Sequence, residues 1–332
     1  MPTLVLVIIG VALLFDFMNG RNDAANSIAT VVSTRVLTPF MGVLWAAFWN
    51  FAALFIFGVH VAKTVGKGII ESSVINEYVI LTALISAIIW VWTCQRYGLP
   101  NSVSHALIGG LIGPALLIGG KSALVMSGII KVSVFIVIAP VFGAVLGFLV
   151  MSATMWVFRK TAPRKVDKGF RVMQLVSSAV FSLAHGSNDA QKTIGIITML
   201  LFSTHQLTGE FYIPSWVILV SYSTIALGTI AGGKKVIKTL GTSLTHLKPV
   251  QGFCAETAGA FSVIMATVGG IPVSTTHTIT GSIMGVGVAK RLSAVRWGVA
   301  SNIVKAWLMT IPANIIISGG IYLIISKLIL KH

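Results

Sequence analysis

Charged side chains are spread so unevenly along this chain that their absence marks out its elements. No Asp, Glu, Lys or Arg occurs in 36–62, 78–95, 97–120, 132–158, 211–233, 257–289 or 306–326. Most of these runs reach the roughly 17–25 residues that carry an α-helix across a hydrocarbon core. Segments of about ten residues with alternating polar and apolar positions, the mark of a membrane barrel, do not appear, so the spans are expected to be helical. The first apolar run, 2–15, has no Lys or Arg before it and no small-residue cleavage site after it. It is expected to be a first transmembrane helix and not a signal peptide.

The pattern also repeats. Gly20-Arg21-Asn22-Asp23-Ala24-Ala25-Asn26-Ser27-Ile28-Ala29 is matched by Gly186-Ser187-Asn188-Asp189-Ala190-Gln191-Lys192-Thr193-Ile194-Gly195, at an offset of 166. Leu99-Pro100-Asn101-Ser102-Val103-Ser104-His105 is matched by Ile271-Pro272-Val273-Ser274-Thr275-Thr276-His277 at an offset of 172, and Gly109 and Gly113 pair with Gly281 and Gly285. Two motif pairs in the same order mean a duplication. The halves are 1–158 and 172–332, joined by a basic linker at 159–171. If the motif segments dip into the membrane without crossing it, each half crosses five times. An odd count turns the second half upside down, which gives an all-α polytopic membrane protein of two inverted-topology repeats that meet near the bilayer midplane.

Composition removes the soluble alternatives. Only 10% of residues are charged, against about a quarter in a soluble domain, and the mean hydropathy is +0.93. The formal charge of +16 does not point to nucleic acid, because a quarter of the 24 basic residues gather in the short stretch 159–171. That cluster reads as a cytoplasmic loop obeying the positive-inside bias, with Lys234, Lys235 and Lys238 as a second one. Lys290, Arg291 and Arg296 fall on the opposite side in this topology. The partner on all sides is the lipid bilayer. Cys94 and Cys254 lie in apolar segments, so no disulfide framework is expected.

The acidic residues are Asp16, Asp23, Glu71, Glu77, Asp167, Asp189, Glu210 and Glu256. An ionised carboxylate at a helix centre in the membrane costs roughly 2.5–3.5 kcal/mol even on the lenient scale, so one kept there has a partner. Asp23 and Asp189 are repeat equivalents in apolar surroundings. They read as a cation site completed by the amide oxygens of Asn22 and Asn188 and by carbonyls of an unwound stretch, since hard cations take oxygen ligands; the plainer alternative is an Asn-Asp helix cap. The proline followed by hydroxyl residues marks a helix N-terminus in each half. There free N–H groups and the hydroxyls of Ser102, Ser104, Ser274, Thr275 and Thr276 converge as they do around oxyanions, or simply cap re-entrant turns. His105 and His277 are duplicated and fit packing or a coupling role. Glu256 fits a proton or cation role or a neutral hydrogen-bonded one. His185, a further candidate for a proton or coupling role, stands where the first half has Asn19, so that role is not duplicated. Glycines four apart, such as Gly143 and Gly147, mean close helix packing first and dimerisation second.

With these motifs the chain resembles the inorganic phosphate transporter (PiT) family, whose signature is a duplicated Gly-x-Asn-Asp-x-(Ala/Ser)-Asn segment and a duplicated Pro-x-Ser-x-Thr-His segment. The match spans nearly the whole chain. The resemblance implies uptake of inorganic phosphate coupled to sodium or protons, re-entrant helical hairpins, and a homodimer in the plasma membrane. Carried over by position, Asn22, Asp23 and Asn26, with Asn188 and Asp189, match the first signature, and the hydroxyl residues match the hairpin tips. Lys192 departs from the usual Asn, Ser104 from Thr, and Asn50 from a Glu found in many relatives. The expected function is symport of phosphate into the cell with sodium, the sodium held at Asp23 and Asp189 with Asn22, Asn26 and Asn188, and the phosphate at the five hydroxyl residues with Asn22 and Asn188; the co-transported ion is the only cofactor. The alternatives are a proton-coupled phosphate or sulfate permease and a passive anion channel. A channel needs a carbonyl filter or charged ring about an axis, and no metal-ligand spacing or nucleophile–base set suggests an enzyme.

Overall fold

The computed structural model describes residues 1–207, 211–232 and 234–330; Glu210 lies outside them. Its α-helices fall into two sets of six. The first is α1 (Thr3–Ser33), α2 (Pro39–Ala52), α3 (His60–Lys67), α4 (Glu77–Tyr97), α5 (Val103–Gly119) and α6 (Met126–Val157). The second is α7 (Pro163–Ser203), α8 (Ser215–Ala231), α9 (Lys234–Lys238), α10 (Pro249–Val268), α11 (Thr275–Lys290) and α12 (Trp297–Ile325). Among the described residues the only strand-like pairing is one bridge between Ile70 and Leu124.

Local chemistry sets the boundaries. Asn76 caps α4 by accepting from the N–H groups of Tyr78 and Val79 at 2.9 and 3.0 Å, and α4 ends at Gly98, whose φ of 69° is left-handed. Ser102 and Ser274 cap α5 and α11 identically, accepting from His105 N–H and His277 N–H at 3.2 Å. Pro163 opens α7 from its N1 position. The basic segment is therefore mostly the first turns of α7, and only 158–162 lies between helices. The charge-rich run broke the hydrophobic pattern without breaking the helix.

The Asn-Asp segments correct a second expectation. They do not dip or unwind: 20–30 and 186–195 are uninterrupted helix in the middle of α1 and α7. A continuous helix satisfies every backbone group by itself, which the apolar interior rewards, and leaves the motif to act through side chains. The helix-cap alternative fails for the same reason.

Packing follows the duplication by exchange. α5 lies on α12 and α11 on α6; α1 lies on α8 and α7 on α2. The paired glycines make this contact: a Cβ on Gly109 would stand 2.7 Å from Ile311 O, and one on Gly281 would overlap Pro140 O. The surface is apolar where helices face outward, as at Val137, Val141, Phe148, Leu308 and Ile316, while Asp16, Asp23, Asp189, Lys192 and Glu256 are buried. That inversion of the soluble arrangement is what a lipid solvent imposes. Five helices among the described residues (α1, α4, α5 with the turn after it, α6 and α12) have the length and hydropathy to cross a membrane, and bent α8–α9 is one more candidate.

α4 and α5, and likewise α10 and α11, form hairpins with buried tips at Asn101–Ser102 and Val273–Ser274. Hairpin α10–α11 opens beside the start of α7, where Lys248, Arg164, Lys168 and Arg171 share a cavity of about 670 Å³ with Arg35. Hairpin α4–α5 opens toward the other end of α7, where Ser72 and Ile75 share a cavity with Ser203. Forty-one residues of α7 put about 60 Å between those ends. Arg296 lies next to His246, at 3.3 Å, and its N–H donates to Leu244 O at 3.0 Å. Lys290, Arg291 and Arg296 are thus on the same end as the basic linker, not opposite it, because α10 and α11 return to the end where they began.

Candidate functional site

Two polar stripes face each other at the centre. On α1, Asn19, Asn22, Asp23, Asn26, Ser27 and Thr30 recur at three- and four-residue steps and are all buried, so they share one helix face. The offset of 166 places His185, Asn188, Asp189, Lys192 and Thr193 on the matching face of α7, and there only Thr30 has an apolar equivalent, Ile196. The tip of α10–α11 closes on these stripes, and the tip of α4–α5 meets that tip through Ser104 and His105.

Asp23, His185 and Asp189 form the core, with one ligand atom from each lying within 4.8 Å of the others. The Nε2 of His185 is 3.8 Å from Asp23 Oδ2 and 3.5 Å from Asp189 Oδ2. Its tautomer follows from a chain of donors. Thr229 gives its hydroxyl proton to Ile225 O at 2.9 Å, so it accepts from Asn50 Nδ2 at 2.9 Å, and Asn50 Oδ1 accepts from His185 Nδ1–H at 3.1 Å. With Nδ1 the donor, His185 turns Nε2 toward two carboxylates. Asn50 and Thr229 carry no sequence signal for this task beyond the family departure at Asn50.

Asp23 is held from α1 and from the second hairpin. Asn22 Nδ2 donates to its Oδ1 at 2.7 Å, Thr276 to Oδ1 at 3.2 Å and Thr275 to Oδ2 at 3.3 Å. Asn26 Nδ2 donates to both threonine hydroxyls, at 2.9 and 3.3 Å. Thr275 and Thr276 thus bridge Asn26 and Asp23, and Ser104 donates to Val273 O at 3.2 Å. Asn188 Nδ2 donates to Thr267 at 3.0 Å and to Ile271 O at 3.2 Å. Two of the expected oxyanion hydroxyls, Thr275 and Thr276, and one of the expected cation carboxylates, Asp23, thus form one hydrogen-bonded assembly, whereas Ser102 and Ser274 cap their helices and Asp189 accepts from Lys192. The first-turn N–H groups of α5 and α11, at Val103, Ser104, Thr275 and Thr276, have no intrahelical carbonyl to reach.

A set of buried acceptors has no hydrogen-bond partner among the described residues: Asn22 Oδ1, Asn26 Oδ1, Asn188 Oδ1, Asp189 Oδ2 and His185 Nε2. Buried acceptors left unsatisfied cost about 1–3 kcal/mol each. Acceptors gathered around two carboxylates fit a small hard cation. The amide of Asn101 at the first tip is likewise unpaired on both atoms; the sequence reading passed over it. Asp16 was also missed: its Oδ1 accepts from Thr193 at 2.8 Å, and its repeat equivalent is Ser182.

The remaining expected residues lie outside the core. His105 and His277 pack edge to face at 4.9 Å, and His277 stacks on Trp307 at 3.9 Å, a column that ties both hairpins to α12. Glu256 accepts from Thr30 at 2.5 Å, from Gln174 at 3.1 Å and from Ser177. It meets the α1 stripe seven residues beyond Asp23, about 10 Å along the axis. Its whole network is unduplicated, since the equivalents of Glu256, Gln174 and Ser177 are Leu84, Ile8 and Val11.

A helical body, apolar outside and polar inside, with two buried hairpin tips meeting on two polar-striped helices, is a multi-pass membrane transporter. The model of the phosphate transporter family matches residues 19–318. The chain is 53% identical over 315 residues to a protein of Rhizobium meliloti (strain 1021) named "Probable low-affinity inorganic phosphate transporter", covering 95% of this chain and 94% of that one. A Bacillus subtilis (strain 168) protein of the same name is 39% identical, with 98% of each covered. A solved structure described as "The sodium-dependent phosphate transporter" superposes with a TM-score of 0.88 at 26% identity, over 99% of this chain and all of the other. The chain belongs to the phosphate transporter family.

Proposed function

We infer that the protein is a symporter of the plasma membrane that carries inorganic phosphate into the cell together with sodium, through two inverted-topology repeats. The observation that carries this reading is the Asp23–His185–Asp189 cluster with its unpaired amide oxygens. It offers a cation two carboxylates and a ring nitrogen within 4.8 Å of one another, and the same two helix stripes carry three buried amide oxygens, of Asn22, Asn26 and Asn188, without a hydrogen-bond partner. First-turn N–H groups of the tips, with the hydroxyls of Ser102 and Ser274, offer an anion its donors beside that cation, and the solved relative's name suggests phosphate and sodium. Opposite opening of the hairpins, and the exchange of packing partners between halves, support the inverted arrangement.

A cation makes chemical sense of the pairing. Phosphate brought near Asp23 and Asp189 meets like charge, which at about 4–6 Å and an effective dielectric near 20 repels by roughly 3–4 kcal/mol per pair. A cation between carboxylate and phosphate replaces that repulsion with two attractions. A proton on His185 Nε2 competes for the same place, so proton coupling is the second reading. Labelled phosphate and sulfate uptake into liposomes, at fixed pH with and without a sodium gradient, separates these readings. Sodium-driven accumulation of phosphate is the expected result. Uptake indifferent to sodium and driven by a pH gradient overturns sodium, and preferential sulfate accumulation overturns phosphate.

A further inference from the structure

The two stripes differ most at one position. Asn26 of α1 uses its amide to hold the second hairpin, whereas its equivalent on α7 is Lys192, whose side chain is 1% exposed. The ammonium donates to Asp189 Oδ1 at 2.6 Å and to Val273 O, at the tip of the second hairpin, at 3.2 Å. A carboxylate oxygen from a long helix together with a carbonyl from a hairpin tip is a ligand pair of the kind hard cations take. Here a covalently held cation sits on it. Asp189 keeps its other oxygen, Oδ2, facing His185 and Asp23.

We propose that Lys192 is a built-in cation that takes the place of one transported cation at Asp189, so that each phosphate moves with one cation fewer than it would if Asn stood at this position. The proposal rests on the cation-coupled anion reading above and adds to it the number of ions. A purely structural ion pair makes a different forecast. Removing one partner of a buried pair weakens the fold through the charge left unpaired but changes no stoichiometry. A tethered ammonium cannot leave with the substrate, and its loss creates a place that a mobile cation must fill before phosphate binds.

The test compares wild type, Lys192→Asn and Lys192→Gln. Phosphate affinity of the purified protein is measured against sodium concentration and against pH, and the ion-to-phosphate ratio is read from reversal potentials in proteoliposomes. Linkage makes the slope of log affinity against log ion concentration equal to the number of ions taken up. In Lys192→Asn the summed sodium and proton slopes are expected to rise by about one. A tenfold dilution of the driving ion then costs about tenfold more phosphate affinity than in wild type. The reversal potential is expected to report one extra charge per phosphate. Lys192→Gln repeats the measurement should the Asn variant fold poorly, and the binding slopes need no intact transport cycle. Unchanged total slopes and ratio in both variants overturn the proposal. A wild type with no sodium slope but a proton slope overturns sodium coupling alone, and the Lys192 count is then read from the totals.

Discussion

Replacing Asp23 by Asn removes a charge without removing volume. In the structure Oδ1 of Asp23 accepts from Asn22 and Thr276, and Oδ2 accepts from Thr275 while facing His185 Nε2 at 3.8 Å. The amide oxygen of the variant can keep the Oδ1 place, so α1 stays tied to the second hairpin. Its NH₂ then takes the Oδ2 place and turns a donor toward the lone pair of His185, where the cation is to bind. A carboxylate and a cation about 4 Å apart attract by roughly 4 kcal/mol at an effective dielectric of 20. The amide dipole returns part of this, which leaves about 2–3 kcal/mol, or roughly 30–150-fold in affinity.

Sodium affinity of Asp23→Asn is therefore expected to fall by that factor, with thermal stability close to wild type. Because coupling is reciprocal, the gain in phosphate affinity on saturation with sodium should shrink by the same factor as the gain in sodium affinity on saturation with phosphate. Titration of the purified protein with sodium, with and without phosphate at constant pH, gives both numbers. Sodium affinity within threefold of wild type, in a variant that is folded, refutes the cation role of Asp23.

Three further outcomes are expected. Gly285→Ala forces a Cβ onto Ala144 O and should lower the midpoint of thermal unfolding in detergent, whereas Gly298→Ala, with nothing within 4 Å of the new Cβ, should leave it unchanged or slightly raised. Glu256→Leu leaves Thr30, Gln174 and Ser177 without their acceptor and should destabilise by about 1–3 kcal/mol per group left unpaired; Glu256→Gln keeps an acceptor and should lose less, as comparative denaturation will show. Impermeant thiol reagents should label Pro2→Cys and Lys327→Cys from one face and Lys165→Cys from the other. The native Cys94 and Cys254 are both buried and give little background; equal access of all three from one face sinks the inverted arrangement.

What the sequence made legible is what it writes locally. The duplication, the helical class, the hairpin caps at Ser102 and Ser274 and the pairing of Asp23 with Asp189 all follow from identity at fixed offsets or from residue types at helix starts. The helical stripes were legible too, since positions 19, 22, 23, 26, 27 and 30 keep one face, but reading Asn-Asp as a break in the helix hid them. Asn50, Thr229, Val273, Gln174 and Ser177 join their sites only through packing between segments from some 80 to 180 residues apart, and no local pattern announces that. The wrong side assigned to Arg296 came from counting crossings, where the hairpin geometry of α10 and α11 decides.

The departures from duplication gather around one of the two hairpins, and this has a physical consequence. The tip of α10–α11 is bonded from α1 through Asp23 and Asn26, from α7 through Asn188 and Lys192, from α3 through Thr64, whose hydroxyl donates to Gly270 O at 2.7 Å, and from α5 through Ser104. The tip of α4–α5 is approached by Trp307, which donates to Pro100 O at 3.2 Å, and by Thr239, which donates to Gly98 O at 2.7 Å, while the Asn101 amide beside them stays unpaired. At about 0.5–1.5 kcal/mol net for an ordinary hydrogen bond and about 1.5–3 for one to a charged group, the second tip has several kcal/mol more to lose on withdrawal. Its bonds also run through Asp23 and Asp189, the groups proposed to hold the cation. On that proposal, ion binding and the seated position of α10–α11 share ligands and are energetically linked, whereas among the described residues α4–α5 bonds to the partner tip through Ser104, and its withdrawal is expected to leave the proposed cation ligands assembled.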